Sequence, residues 1–190
     1  MLRDKFLWEA SMLQKILQLI AYHLRSDKNV SLRFLEKIPV FGTQSAHLAR
    51  ARYSLQALLR EQLAIDVMST AYEELYGGIA ENKVSPGALL AYELCENAVG
   101  DAICRELEDM CESYLADMRG LLLRQKHGEK GILRTDGSAN IFFIRNVFKS
   151  LDIVRLVWSQ AGWKITAHSI GTLLPRDTVI FARNHASSPP

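Results

Sequence analysis

The sequence predicts an α+β protein, mainly α. An N-terminal bundle of three or four helices spans residues 1–127, a smaller C-terminal ββαββ portion at 128–184 packs on it, and 185–190 form a disordered tail. Three observations predict this class. Apolar residues recur at helical spacings of three and four as far as residue 126. Beyond Gly128 the texture changes to alternation and turn signals. The composition, 48% apolar with 23 Lys and Arg against 21 Asp and Glu in 190 residues, is that of a globular chain and not of a disordered one. A chain of this length buries about 70% of the surface its unfolded form exposes, so it needs neither a disulfide nor a structural metal to fold.

Element by element, Phe6, Ala10, Leu13, Leu17, Ile20 and Leu24 share one helical face, which makes residues 3–25 a helix. Its coiled-coil-like seam, with Trp8 on the outside, suits packing within the fold or against a second copy in a homo-oligomer. Ser31 caps a short helix over 32–38, which Pro39 ends. Thr43 caps a long helix that reaches about Tyr76 and stops at Gly77-Gly78, with Leu55, Leu58, Leu63, Val67, Tyr72 and Leu75 covering much of its circumference. Ser85-Pro86 opens a further helix that extends to Lys126. Leu94, Ala98, Ile103, Leu107, Met110, Tyr114, Met118 and Leu121 form its buried face, and Gly100 and Gly120 are its weak points.

In the C-terminal portion, 132–135 and 138–144 flank Asp136-Gly137 as a β-hairpin, because that dipeptide suits the positive φ angles of a two-residue turn. Asn140 equally suits the cap of a helix starting at Ile141, so 141–144 stays open between strand and helix. Val147, Leu151, Val154 and Trp158 mark a helix that Gly162 closes. The alternating run 163–167 and the β-prone run 178–183 make a second hairpin around the loop 171–177.

Charge is distributed in three blocks. Residues 1–60 hold ten basic and four acidic side chains, 61–118 hold two and thirteen, and 119–190 hold eleven and four. The corresponding nets are +6, −11 and +7. Like charges three and four apart on one helix repel. Basic groups from the flanks are therefore expected near the acidic centre, unless that centre is left bare as a docking face.

The chain carries no motif that names a chemistry. There is no GxSxG elbow, no ExxH pair, no zinc-ligand spacing, no GxGxxG, no P-loop and no EF-hand loop, and the five histidines are scattered. No catalytic residue, cofactor or metal is expected. Cys95, Cys104 and Cys111 lack a CxxC pair and fall in one predicted helix, which argues against a disulfide framework, and Cys104 and Cys111, seven apart on one face, read as small buried hydrophobes. Arg3, Asp4 and Lys5, then Glu9, Gln14, Lys15 and Gln18, interrupt any secretory segment, and no stretch approaches the roughly 20 apolar residues of a membrane span. A cytoplasmic protein without membrane contact is the expectation.

These patterns favour a non-enzymatic interaction or adaptor protein. Its protein partner is expected on the acidic helix 88–118, through Glu93, Glu96, Asp101, Glu106, Asp109 and Glu112, and on the basic C-terminal face. The alternative is a nucleic-acid-binding protein that uses Arg145, Lys149, Arg155, Lys164 and Arg176, with 171–177 as the wing of a helix-and-hairpin module. An enzyme whose site converges from residues distant in sequence is the third reading.

Overall fold

The segments NIFFIR, LDIVRLVWS and VIFARN are apolar at consecutive positions and rich in β-branched and aromatic side chains, which suits strands covered on both faces. In the computed structural model, which describes residues 30–40, 63–79, 81, 84 and 87–184, they lie within a seven-stranded mixed sheet. The strands are β1 (Leu32–Val40), β2 (Ile65–Met68), β3 (Gly87–Leu94), β5 (Asn140–Arg145), β6 (Leu151–Ser159), β7 (Gly162–Ser169) and β9 (Val179–Asn184), in the order β1-β3-β9-β5-β6-β7-β2. The β9–β5 and β7–β2 pairs are parallel and the others antiparallel. Two short strands, β4 (Ala98–Val99) and β8 (Leu173–Leu174), pair separately. Three short helices complete the described fold: α1 (Thr70–Tyr76), α2 (Gly100–Leu107) and α3 (Leu115–Arg124), with a 3-10 turn at Glu108–Met110.

The protein is therefore mainly β, 43% strand against 22% helix among the described residues, and not the mainly α helical bundle expected. The short helix expected at 32–38 is β1, which keeps Pro39 because an edge strand tolerates a missing donor. The long helix 86–126 is replaced by β3, β4, α2, the 3-10 turn and α3. The helix expected from Val147 to Trp158 is a turn followed by β6. In β3 and β6 burial against the two faces of the sheet overrides helical periodicity, whereas β1 is a mostly exposed edge strand held by its antiparallel pairing with β3. Ile141 to Ile144 are strand, paired with β6 and, as far as Phe142, with β9 and not with 132–135, and the Asn140 side chain holds the Arg134 backbone, Oδ1 accepting its N–H and Nδ2 donating to its carbonyl, instead of capping a helix. The runs 163–167 and 178–183 are both strands, yet β5 and β6 separate them, so the second hairpin does not exist and the ββαββ order fails. Of the long helix expected to reach Tyr76, Ile65–Met68 are instead β2 and only Thr70–Tyr76 are helical, while its 43–62 part, the helix 3–25 and the tail 185–190 lie outside the described residues.

Each face of the sheet carries its own core. Tyr72 and Tyr76 of α1, with Leu115, Met118 and Leu121 of α3, cover Leu89, Phe142, Val154 and Phe181. On the other face Ile103 and Leu107 of α2, with Leu174 of β8, cover Ile141, Phe143, Ile153 and Ile180. Successive residues of β5 alternate between the two clusters, as the two-residue period of a strand requires. A bulge between Phe34 and Glu36 in β1 shifts the phase, so Leu32 packs on the second face and Ile38 and Val40 on the first.

The chain passes from one face to the other through the sheet itself. β5 and β9 stay paired only as far as Phe142 and Phe181. Beyond that point Ser113 donates its N–H to the Phe143 carbonyl at 2.8 Å and its hydroxyl to the Phe181 carbonyl at 2.7 Å. Cys111 belongs to the α2 face and Leu115 to the α3 face, so residues 112–114 thread the gap.

Candidate functional site

Ion pairs take up part of the acidic centre. Glu93, 6% exposed at the end of β3, joins Arg33 through one carboxylate oxygen and Arg134, at 2.5 Å, through the other. Asp117 and Arg183 form a buried pair beside the thread, and the Arg183 guanidinium lies 4.9 Å from the centre of the Tyr114 ring. Glu112 accepts from Arg145 Nε at 2.8 Å, and Asp66 lies 3.6 Å from Lys164 Nζ. The basic flanks thus reach into the acidic block from both sides. At the start of α3, Glu81 accepts the N–H groups of Leu115 at 2.5 Å and Ala116 at 2.9 Å, which satisfies amides that the helix cannot. Burial pushes its carboxyl up to about 7, with Asp117 in the same direction, against those two bonds and the Arg183 charge.

Of the six acidic candidates, Glu93 and Glu112 are taken up by these pairs, and Asp101 pairs with Arg105 at 3.3 Å. Glu96 sits in the β3–β4 turn, while Glu106 and Asp109 lie on α2 and the 3-10 turn beside Glu108. Glu96, Glu106, Glu108 and Asp109 are exposed, and none has an ion pair among the described residues. The single acidic helix that was to carry all six does not form, so no one face presents them together.

The basic candidates are scattered. Arg145 and Lys149 lie at the β5–β6 turn, and Arg176 lies in the loop before β9, where its N–H reaches Asn97 and its guanidinium reaches Asp177. β9 and β5 run parallel, so Arg176 is at the opposite end of the sheet from Arg145. Arg155 and Lys164 share a face of β6 and β7, with Lys164 already paired to Asp66. The 171–177 loop contains β8, which packs back on β4 and is no free wing.

Among the described residues no group of three His, Cys, Asp or Glu is placed to hold a metal ion. His168 Nε2 is 2.9 Å from the Thr166 hydroxyl, and burial, then the Arg155 charge, holds its pKa below the ordinary value. Cys104 and Cys111 are joined by a disulfide, with Cα atoms 5.0 Å apart, which corrects their reading as unbonded core residues. Cys95 is exposed and free. No described helix is long and apolar enough to cross a membrane.

The most exposed large apolar side chain among the described residues is one the sequence reading assigned to a helix. Phe148 is 76% exposed, and its neighbour Val147 40%. Both sit in the β5–β6 turn, which buried Asn146 fixes. The Asn146 Oδ1 accepts the N–H groups of Phe148 at 2.8 Å and Ser150 at 3.2 Å, and its Nδ2 donates to Asp152 at 2.6 Å. Val147 donates its N–H to the Leu75 carbonyl of α1, and Arg145 donates to the Lys149 carbonyl at 3.0 Å. Lys149 holds φ +65°, a conformation that tightens the turn. Through Arg145 the turn is tied to Glu112, three residues after Asp109. The overlooked signal is the Asn146 side chain, since Asn favours turns by bonding the backbone two residues on.

Comparison with protein-family models, curated proteins and solved structures finds no match to this chain.

Proposed function

We propose that the protein is a non-enzymatic binding module that takes a protein partner at the end of the sheet formed by the β5–β6 turn and the 3-10 turn. The observation that carries this reading is Phe148, held 76% exposed on a turn whose backbone Asn146 has already fixed. An exposed apolar side chain normally loses conformational freedom when it binds, and a fixed turn removes much of that cost beforehand. Large aromatic anchors dominate the energetics of protein interfaces. Glu108 and Asp109, exposed nearby in sequence to the Glu112–Arg145 link, suit a partner whose apolar pocket has a basic rim on that side.

The test places a photo-crosslinking amino acid at position 148 and, separately, at Val67, another exposed apolar residue on the β2 edge. The expected result is a discrete crosslinked protein from position 148 alone, lost when Asp109→Lys is added. Equal products from both positions would overturn the reading.

A further inference from the structure

The disulfide spans Glu108, one of three described non-glycine residues with positive φ. Cys104 is in α2, half-buried, and Cys111 follows the 3-10 turn, 2% exposed. The short ring they close contains Glu108, whose φ of 50° and ψ of −129° belong to a region that Gly enters freely and a side-chain-bearing residue enters at a cost. The Cys111 N–H donates to the Glu108 carbonyl at 3.1 Å, so the bridge and that hydrogen bond hold the turn from the same side. Directly after Cys111 the chain threads the sheet, and Glu112 there holds Arg145 of the Phe148 turn.

We propose that Cys104–Cys111 is a reversible redox clasp on this turn, opened by a dithiol reductant and closed by a disulfide oxidant such as glutathione disulfide. In opening, a thiolate of the dithiol attacks the Cys104 sulfur, which is the more accessible, and Cys111 leaves as thiolate and takes up a proton. The second thiol of the dithiol then closes its own disulfide and releases Cys104 as thiol. Two electrons and two protons pass to the protein, and the dithiol becomes a disulfide. A ring this short constrains the unfolded chain less than a long one, so its main effect is local. Opening releases Glu108 from its left-handed conformation while Ser113 remains anchored between β5 and β9. The consequence for partner binding rests on the function proposed above, whereas the clasp itself does not.

The test uses the intact protein. Alkylation before and after dithiothreitol, read by mass, should count one accessible thiol, Cys95, in the oxidised form and three in the reduced form. Hydrogen exchange should then show the amides of 105–112 opening at least about tenfold faster on reduction, with β5 and β6 unchanged. Glutathione disulfide should restore the slow rate. Glu108→Gly, which removes the strain and leaves both cysteines, should shrink the difference between the two forms. Three free thiols that glutathione disulfide cannot pair would overturn the proposal. So would exchange that is indifferent to reduction, or acceleration spread over the whole sheet, the mark of a purely structural bridge. If exchange responds as stated while position 148 captures nothing, the clasp stands and the binding site falls.

Discussion

At the scale of single residues, charges decide more than motifs do. Asp117 and Arg183 are each 3% exposed and pair directly, so truncating either one breaks a buried ion pair. Asp117→Ala should therefore lower unfolding stability by about 3–5 kcal/mol in urea titration, whereas Glu106→Ala, exposed and outside any described ion pair, should change it by under about 0.5 kcal/mol. His168 gives a second residue-scale prediction. Burial and Arg155 lower its folded pKa below the ordinary 6.5, so below pH 6.5 the unfolded chain takes up a proton that the native state resists. Its contribution to stability is present above pH 6.5 and lost as pH falls through the folded value. His168→Asn should remove that share of acid sensitivity, visible as a smaller fall in melting temperature than in the unaltered protein between pH 7 and 5. The expectation that basic flanks approach the acidic centre was readable from the counts. Which residues do so was not, because Arg33 and Arg134 meet Glu93 only after strands distant in sequence align.

At the scale of elements, the errors have one physical cause. The spacing of Leu94, Ala98, Ile103 and Leu107 fits one helical face, and all four do belong to a single hydrophobic cluster. They reach it from β3, β4 and α2, since spacing records burial without recording the backbone that achieves it. In Leu151–Ser159, Ile153, Val154 and Val157 were the neglected sign of a strand, because β-branched side chains fit a pleated surface better than a helix. The β5–β6 turn was lost for the same reason, and with it the candidate site. Asn146→Ala should test how far one side chain fixes that turn. It removes the acceptor for Phe148 and Ser150, so it should cost about 1–3 kcal/mol and raise hydrogen exchange at 147–150 before it affects β6. No change in exchange there would mean that the turn is held by other contacts.

At the scale of the molecule, the sheet joins strands from both sides of residue 128: β3 pairs with β9, and β7 with β2. A chain cut after residue 127 lacks β5, β6, β7 and β9, which removes the centre of both cores. It should show no cooperative thermal transition, and a sharp melt of that fragment would contradict the described topology. This linkage could not be read locally, because neither the order of strands nor the thread at 112–114 has a local sequence signature. Strand pairings join segments nearly 100 residues apart, such as Ile65 with Trp163 and Ala88 with Asn184. Once these pairings form, the described surface leaves Phe148 76% exposed on the β5–β6 turn, beside the Glu112–Arg145 pair. Affinity for the protein crosslinked at position 148, measured for the unaltered chain and for Phe148→Ala, tests that claim most directly. Loss of an interface anchor of about 2 kcal/mol or more predicts binding weaker by about 30-fold, with Val67→Ala near unity; a Phe148→Ala protein that binds within about threefold of the original would contradict it.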